Sequence, residues 1–215
     1  SIYDCIGVEI IGWGGSALYF LLFLTAGLLA MLIRLELAQP GRLMDGDVYN
    51  TVMSTHGIVM ITVALIAIVG GLGNYFVPLM IGARDMAFPK VNALSYWLLP
   101  PALLLIVVNP LLGGFDTGWT AYPPLSQQAN LGQQAFILTF ITLGVSSIIS
   151  AVNFLVTVAR MRAPGMSLTR MPIFVWALTV TTSIVLVATS VVAAGMTMLL
   201  FDRLLGTAFF RPSAG

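Results

Sequence analysis

His56 is the only imidazole in 215 residues. It lies in an apolar run, flanked by Thr55 and Gly57 and followed by Ile58, Val59 and Met60. An ionisable group inside a membrane span is costly and marks a functional site by default. Imidazole is also the usual side chain for holding a metal or a haem iron. On a helix, positions three and four apart stack, so His56, Met60, Val63, Ala67, Gly70 and Asn74 share one stripe. Below His56 the stripe shrinks to Ala and Gly, small enough for a neighbouring helix or a flat macrocycle to approach the backbone closely. Two readings stay open on these residues: a haem held edge-in between helices, or a buried histidine that hydrogen-bonds a threonine or a carbonyl.

Other polar residues invite the same pairing of readings. Asp85 sits between two apolar stretches, where a carboxylate is ordinarily just solvated. Ser146, Ser147 and Asn153 lie within one long apolar segment; such groups either glue helices or hold a file of waters where apolar residues cannot. Arg34 reads as a snorkelling helix-end cation. Glu36 offers one carboxylate to a hard cation or to water, and Trp119 and Tyr122 suit a membrane interface.

The elements that must position these residues are membrane spans. The chain is 59% hydrophobic and 8% charged, whereas soluble domains run near a quarter charged. A bilayer crossing needs roughly 20 apolar residues, and five stretches qualify, near 13–35, 53–82, 92–113, 131–159 and 172–200. Runs such as 58–70 do not alternate as a transmembrane barrel strand would. The reading is one all-α membrane domain over 1–215, without internal repeat or low-complexity linker. The net charge of +1 makes no case for nucleic acid. Cys5 is the sole cysteine, so there is no intrachain disulfide and no paired-cysteine metal site. With five spans, Arg84, Lys90, Arg160, Arg162 and Arg170 fall on the N-terminal side. Arg34, Arg42, Arg203 and Arg211 fall opposite, with Glu36, Asp45, Asp47, Asp116 and Asp202. That slight bias places the N-terminus inside.

Several segments, in order along nearly the whole chain, closely resemble subunit I of the haem–copper terminal oxidases. They are residues 70–89 (GGLGNYFVPLMIGARDMAFP), 95–101 (SYWLLPP), 118–126 (GWTAYPPLS), 161–166 (MRAPGM) and 170–176 (RMPIFVW). The resemblance implies the first five helices of a 12-helix bundle. It implies that His56 is one axial ligand of a low-spin haem, a or b, with Gly57 and Met60 beside it. Arg34, in the 33–41 segment (IRLELAQPG), would contact a polar substituent of that haem. Glu36 and Gly41 match positions that bind Ca²⁺ or Na⁺ in some members. Asp85 matches the mouth of the D-type proton pathway, with Asn74 and Asn92 just within it and Ser146, Ser147 and Asn153 further along. Trp119 and Tyr122 match residues above the binuclear centre. By the helical rise, His56 and Asn74 are about 27 Å apart, so one span would carry an electron site and a proton entry at opposite faces.

The same resemblance implies what this sequence does not hold: the second axial histidine, the high-spin haem and copper ligands, and the glutamate ending the channel. The expected partners are the remaining helices of subunit I, other oxidase subunits, membrane lipid, and cytochrome c or quinol as electron donor. The expected location is a bacterial plasma membrane or mitochondrial inner membrane. Gln134, Ile141 and Ala93 depart from an acid, a histidine and an asparagine common in relatives. The competing reading is a degenerate, non-catalytic structural or assembly subunit. A small transporter has no inverted repeat to support it.

Overall fold

The computed structural model describes residues 2–38, 40–62, 68–127 and 130–210, with side chains from residue 20 onward except those of 68 and 69. Its helices are α1 (Ile2–Ala38), α2 (Gly46–Val59), α3 (Ile68–Ile81), α4 (Pro89–Trp97), α5 (Leu99–Val108), α6 (Leu131–Arg160) and α7 (Ile173–Leu204). Four are long and apolar enough to cross a bilayer: Phe20–Ala38, Pro89–Leu112, Leu131–Arg160 and Ile173–Leu204. The expected 53–82 stretch is carried by α2, a π-helical turn at 60–62, and α3; residues 63–67, with Val63 and Ala67 of the stripe, lie outside the described residues.

The Pro89–Leu112 span is made of α4 and α5 in sequence. Pro89 opens α4, Leu98 keeps a helical backbone between α4 and α5, and α5 begins just before Pro100 and Pro101. Proline removes a donor and clashes with the preceding turn, so this stretch needs outside partners for its backbone groups. It finds them on α6, which packs against α4, α5 and α7. Asn130 caps α6, its Oδ1 accepting from the Gly132 N–H at 2.8 Å.

Two apolar cores fill the bundle. One joins Ala26, Ile58, Val59, Leu103, Ile106, Phe136, Ile137, Met196 and Leu199 with Phe115 and Ala121 from the 113–130 loop. Phe115 and Phe136 stack with centroids 4.4 Å apart. The other joins Val77, Ile81, Met86, Phe154, Val158, Met171, Val175 and Leu178. The loops therefore group at two ends. Ala163 N–H donates to the Ile81 carbonyl at 2.8 Å, setting the 82–88 and 161–172 loops together. At the other end Arg203 donates to the carbonyls of Ser126 at 2.8 Å and Asn130 at 2.7 Å. The outer faces of α1 and α7 remain apolar and uncovered, with Leu28, Val187 and Val191 each more than 60% exposed, as surfaces that meet lipid or other helices must be.

At Gly132 a methyl group would overlap the backbone of Gly114. Backbone cannot retreat as a side chain can, and overpacking of this kind costs about 1–3 kcal/mol. Gly132→Ala should therefore lower the thermal unfolding midpoint of the intact assembly in detergent, followed by far-UV circular dichroism.

Candidate functional site

His56 is half-buried on α2, in the turn that faces α1. Its Nδ1 lies 2.9 Å from the Ala26 carbonyl oxygen. A carbonyl only accepts, so Nδ1 carries the proton and donates, and Nε2 holds the lone pair of the neutral ring. This arrangement orients a ligating imidazole and fixes its tautomer. The histidine thus hydrogen-bonds a carbonyl, as one sequence reading expects, in the way that leaves its other nitrogen able to bind a metal. The two readings are compatible.

The surrounding turn is held from two directions. Ser54, buried on the same helix, accepts from the Gly118 N–H at 3.0 Å. A methyl group at Gly57 would sit 3.9 Å from Trp119 Cδ1, and one at Gly114 would run into the Thr51 side chain. The 113–119 loop therefore lies directly on the His56 segment. Below it, Thr62 Oγ1 donates to the Ile58 carbonyl at 2.6 Å. The Met60 N–H reaches both His56 and Gly57 carbonyls as the helix widens into its π-turn, a distortion frequent at functional sites. Met60 packs against the first core. Trp119 is 46% and Tyr122 72% exposed; the first abuts the His56 turn and the second projects from the loop. Arg34 is exposed on α1, eight residues and about 12 Å of helix rise beyond Ala26.

At the same end, Glu36 Oε2 accepts from the Leu43 and Met44 N–H groups at 2.9 and 3.1 Å. The carboxylate thereby ties the loop in which Gly41 takes a φ of +118°. Among the described residues no group of three His, Cys, Asp or Glu side chains could hold a metal ion. A cation at Glu36 and Gly41 would rely on one carboxylate and loop carbonyls.

Of the expected proton-path residues, three are linked at the opposite end and three are not. Asp85 is half-buried, and its Oδ1 accepts from the Met86 N–H at 2.7 Å. The next two amides are clamped by α6: Ala87 N–H donates to Thr157 Oγ1 and Phe88 N–H to Asn153 Oδ1, both at 2.9 Å. Asn153 Nδ2 reaches Asn92 Oδ1 at 3.3 Å. Ser95 Oγ donates to the Asn92 carbonyl and Ser146 Oγ to the Ser95 carbonyl, each at 2.7 Å. Asn92, Asn153 and Ser146 are thus brought together along the α4–α6 seam that begins beside Asp85. Asn74 stands on α3, its Nδ2 donating to the Gly70 carbonyl at 2.8 Å while its buried Oδ1 has no partner. An orphaned buried acceptor calls for a water. Ser147, next to Ser146, is half-buried.

Sequence comparison places this geometry among known proteins. The family described as cytochrome C and quinol oxidase polypeptide I matches residues 11–215. The chain belongs to that family. It is 47% identical over 199 residues, 91% of its length, to cytochrome c oxidase subunit 1 of Thermostichus vulcanus. It is 38% identical over 213 residues, 98% of its length, to cytochrome c oxidase subunit 1 of Synechocystis sp.. It spans only 36% and 39% of those relatives. This oxidase-family chain is an integral membrane protein by its helices and its relatives. The family implies haem and copper. Of those groups, the donor set here fits a haem iron at His56, whose Nε2 is the one imidazole lone pair in the sequence.

Four residues that the sequence did not single out are structural to these sites: Ser54, Asn109, Thr157 and Asp202. Asn109 Nδ2 donates to the Gly132 carbonyl at 2.6 Å. Asp202 is fully buried and accepts from Thr207 Oγ1 at 2.6 Å, Phe209 N–H at 2.9 Å and Phe210 N–H at 2.7 Å. Only the proline breaks near Asn109 hinted that extra acceptors and donors would be needed. Replacing Asn153 by Ala removes the acceptor of the part-buried Phe88 N–H, a loss of about 0.5–1.5 kcal/mol, the net worth of one hydrogen bond. Hydrogen exchange in residues 85–92 should accelerate in Asn153→Ala while exchange in the α1 segment around Ala26 stays unchanged.

Proposed function

We propose that this chain is the N-terminal, five-span part of a 12-helix oxygen-reducing oxidase subunit I. In this reading it supplies one axial ligand of the low-spin haem and the entrance of a proton pathway. The observation that carries the reading is the His56 Nδ1 contact to the Ala26 carbonyl at 2.9 Å, which leaves Nε2 available to a metal. The haem, when bound, supplies reversible one-electron transfer. The chain's own part is to present Nε2 in a fixed orientation. Ala26 holds the ring, Ser54 and Trp119 brace the turn through the 113–119 loop, and Gly57 and Met60 shape the surface beside it. Arg34 lies on the helix that supplies the Ala26 carbonyl, and its cation would stabilise the reduced haem if it reaches a polar substituent. Cytochrome c or quinol would be the donor. The remaining helices of subunit I would bring the second axial ligand and the oxygen chemistry.

Proton entry is the second part. Asp85 is half-buried in the loop and accepts from the next amide, and in this reading it is where water meets the pathway. Beyond it, Asn92, Asn153 and Ser146 offer a polar seam through the bundle. Much of their capacity is spent on backbone groups, so waters between them and Asn74 must complete the relay. Ser147, the next residue, lies about a quarter-turn round α6 from that seam and would add a hydroxyl beside it. Glu36 and Gly41 would hold Ca²⁺ or Na⁺ through loop carbonyls, and Tyr122 would face the region outside the reacting centre. The N-terminus is read as inside, because the loop holding Asp85 shares its end of the bundle with Arg160, Arg162 and Arg170.

In the intact complex, His56→Ala should remove the low-spin haem band from the reduced-minus-oxidised difference spectrum; an undisturbed band would contradict the assignment. Asp85→Asn keeps the shape but cannot carry a proton. It should slow proton uptake by the complex in sealed vesicles by about 100-fold, the scale of a lost positioned acid or base, and leave the low-spin band in place.

A further inference from the structure

Near the 160–172 end of the bundle, α6 and α7 part to leave an open cleft of about 390 Å³. Its lining is Leu155, Val158, Ala159, Leu168 and Thr179, with Arg162 as the sole charged side chain. The guanidinium is fixed: Nε donates to the Met166 carbonyl at 3.2 Å and Nη1 to the Val158 carbonyl at 2.7 Å. Carbonyls satisfy donors but do not neutralise the charge. Residues 160–172 contain Arg160, Arg162 and Arg170 and no acid, and no carboxylate among the described residues pairs with Arg162. The neighbouring 82–91 segment holds one acid, Asp85, against Arg84 and Lys90, so it adds no surplus of negative charge.

Trp176 bonds Leu168, one of the residues lining the cleft. Its indole N–H donates to the Leu168 carbonyl at 2.8 Å while the ring is partly exposed, the posture of an aromatic at the headgroup level. The cleft therefore offers an apolar groove running into the bilayer and an uncompensated, immobilised cation at its mouth. That is the complement of a lipid with a phosphate at one end and an acyl chain at the other. The phosphate of a zwitterionic lipid is already balanced by its own ammonium, so the surplus positive charge selects an anionic one. We propose that the α6–α7 cleft binds one anionic phospholipid of the surrounding bilayer, its phosphate on Arg162 and an acyl chain along Leu155, Val158 and Ala159.

The test uses the intact membrane complex, stripped of lipid in detergent and re-equilibrated with mixed micelles of dioleoyl phosphatidylglycerol or dioleoyl phosphatidylcholine. Retained lipid is counted by native mass spectrometry. The wild type should hold one phosphatidylglycerol more tightly than phosphatidylcholine by about fivefold or more, the scale of one basic side chain at a membrane surface. Arg162→Gln should erase that preference. Ala159→Phe fills the groove without touching the cation and should remove the same single lipid, so it decides the matter if the Arg162 variant does not assemble. Equal retention of the two lipids by the wild type would overturn the proposal. So would undiminished phosphatidylglycerol in Ala159→Phe, or loss of a neighbouring subunit rather than a lipid from that variant.

Discussion

Inside a bilayer every backbone N–H and carbonyl must find a partner in the protein, and the 82–112 segment cannot meet that demand alone. Its loop at 82–88 and the missing N–H groups of Pro100 and Pro101 leave amides and carbonyls outside the regular helical ladder. One face of α6 runs along this segment and gives side-chain partners to several of its backbone groups. Thr139 donates to the Ala102 carbonyl at 3.3 Å, Ser146 to Ser95, and Asn153 and Thr157 accept from Phe88 and Ala87. Spaced by seven, residues 139, 146 and 153 stay on one side of the helix. The rest of the bundle is arranged around that line of contacts.

The same helix links the two sites. At one end its side chains fix the loop that carries Asp85. At the other, Gly132 and Asn130 hold the 113–114 turn, with Asn130 Nδ2 donating to the Gly113 and Gly114 carbonyls at 3.1 and 2.9 Å. That loop then presses on Thr51, Ser54 and Gly57 of α2 and so on the turn that bears His56. The His56 turn on α2 and the Asp85 loop that follows α3 are thereby both held by α6. Asp202 and Arg203 at the end of α7 close the arrangement by tying residues 207–210 and the Ser126 and Asn130 carbonyls.

Much of this was legible in the sequence for a simple reason. Hydropathy over long windows reports burial in lipid, and so the limits of α6 and α7 fell within a few residues of the expected spans. Pro100 and Pro101 announced an interrupted helical ladder but not which neighbour would pack along it, since that depends on the tertiary fold. His56 stood out because an imidazole among apolar residues has few reasons to be there. Its tautomer did not, because the acceptor is a backbone carbonyl thirty residues away. Ser54 and Thr157 were invisible for a related reason: a hydroxyl on a helix bonds its own preceding turn as readily as a neighbour. Asp202 looked like a surface charge until the chain folded back to offer three donors.

The central claim is that Ala26 and the α2 turn hold His56 so that Nε2 is an axial ligand. The most direct measurement is electron paramagnetic resonance of the oxidised intact complex carrying His56→Gly, with and without added imidazole. The account predicts loss of the low-spin ferric signal in the variant and its return when free imidazole fills the vacated position. A low-spin signal that persists unchanged in the variant without imidazole would contradict it.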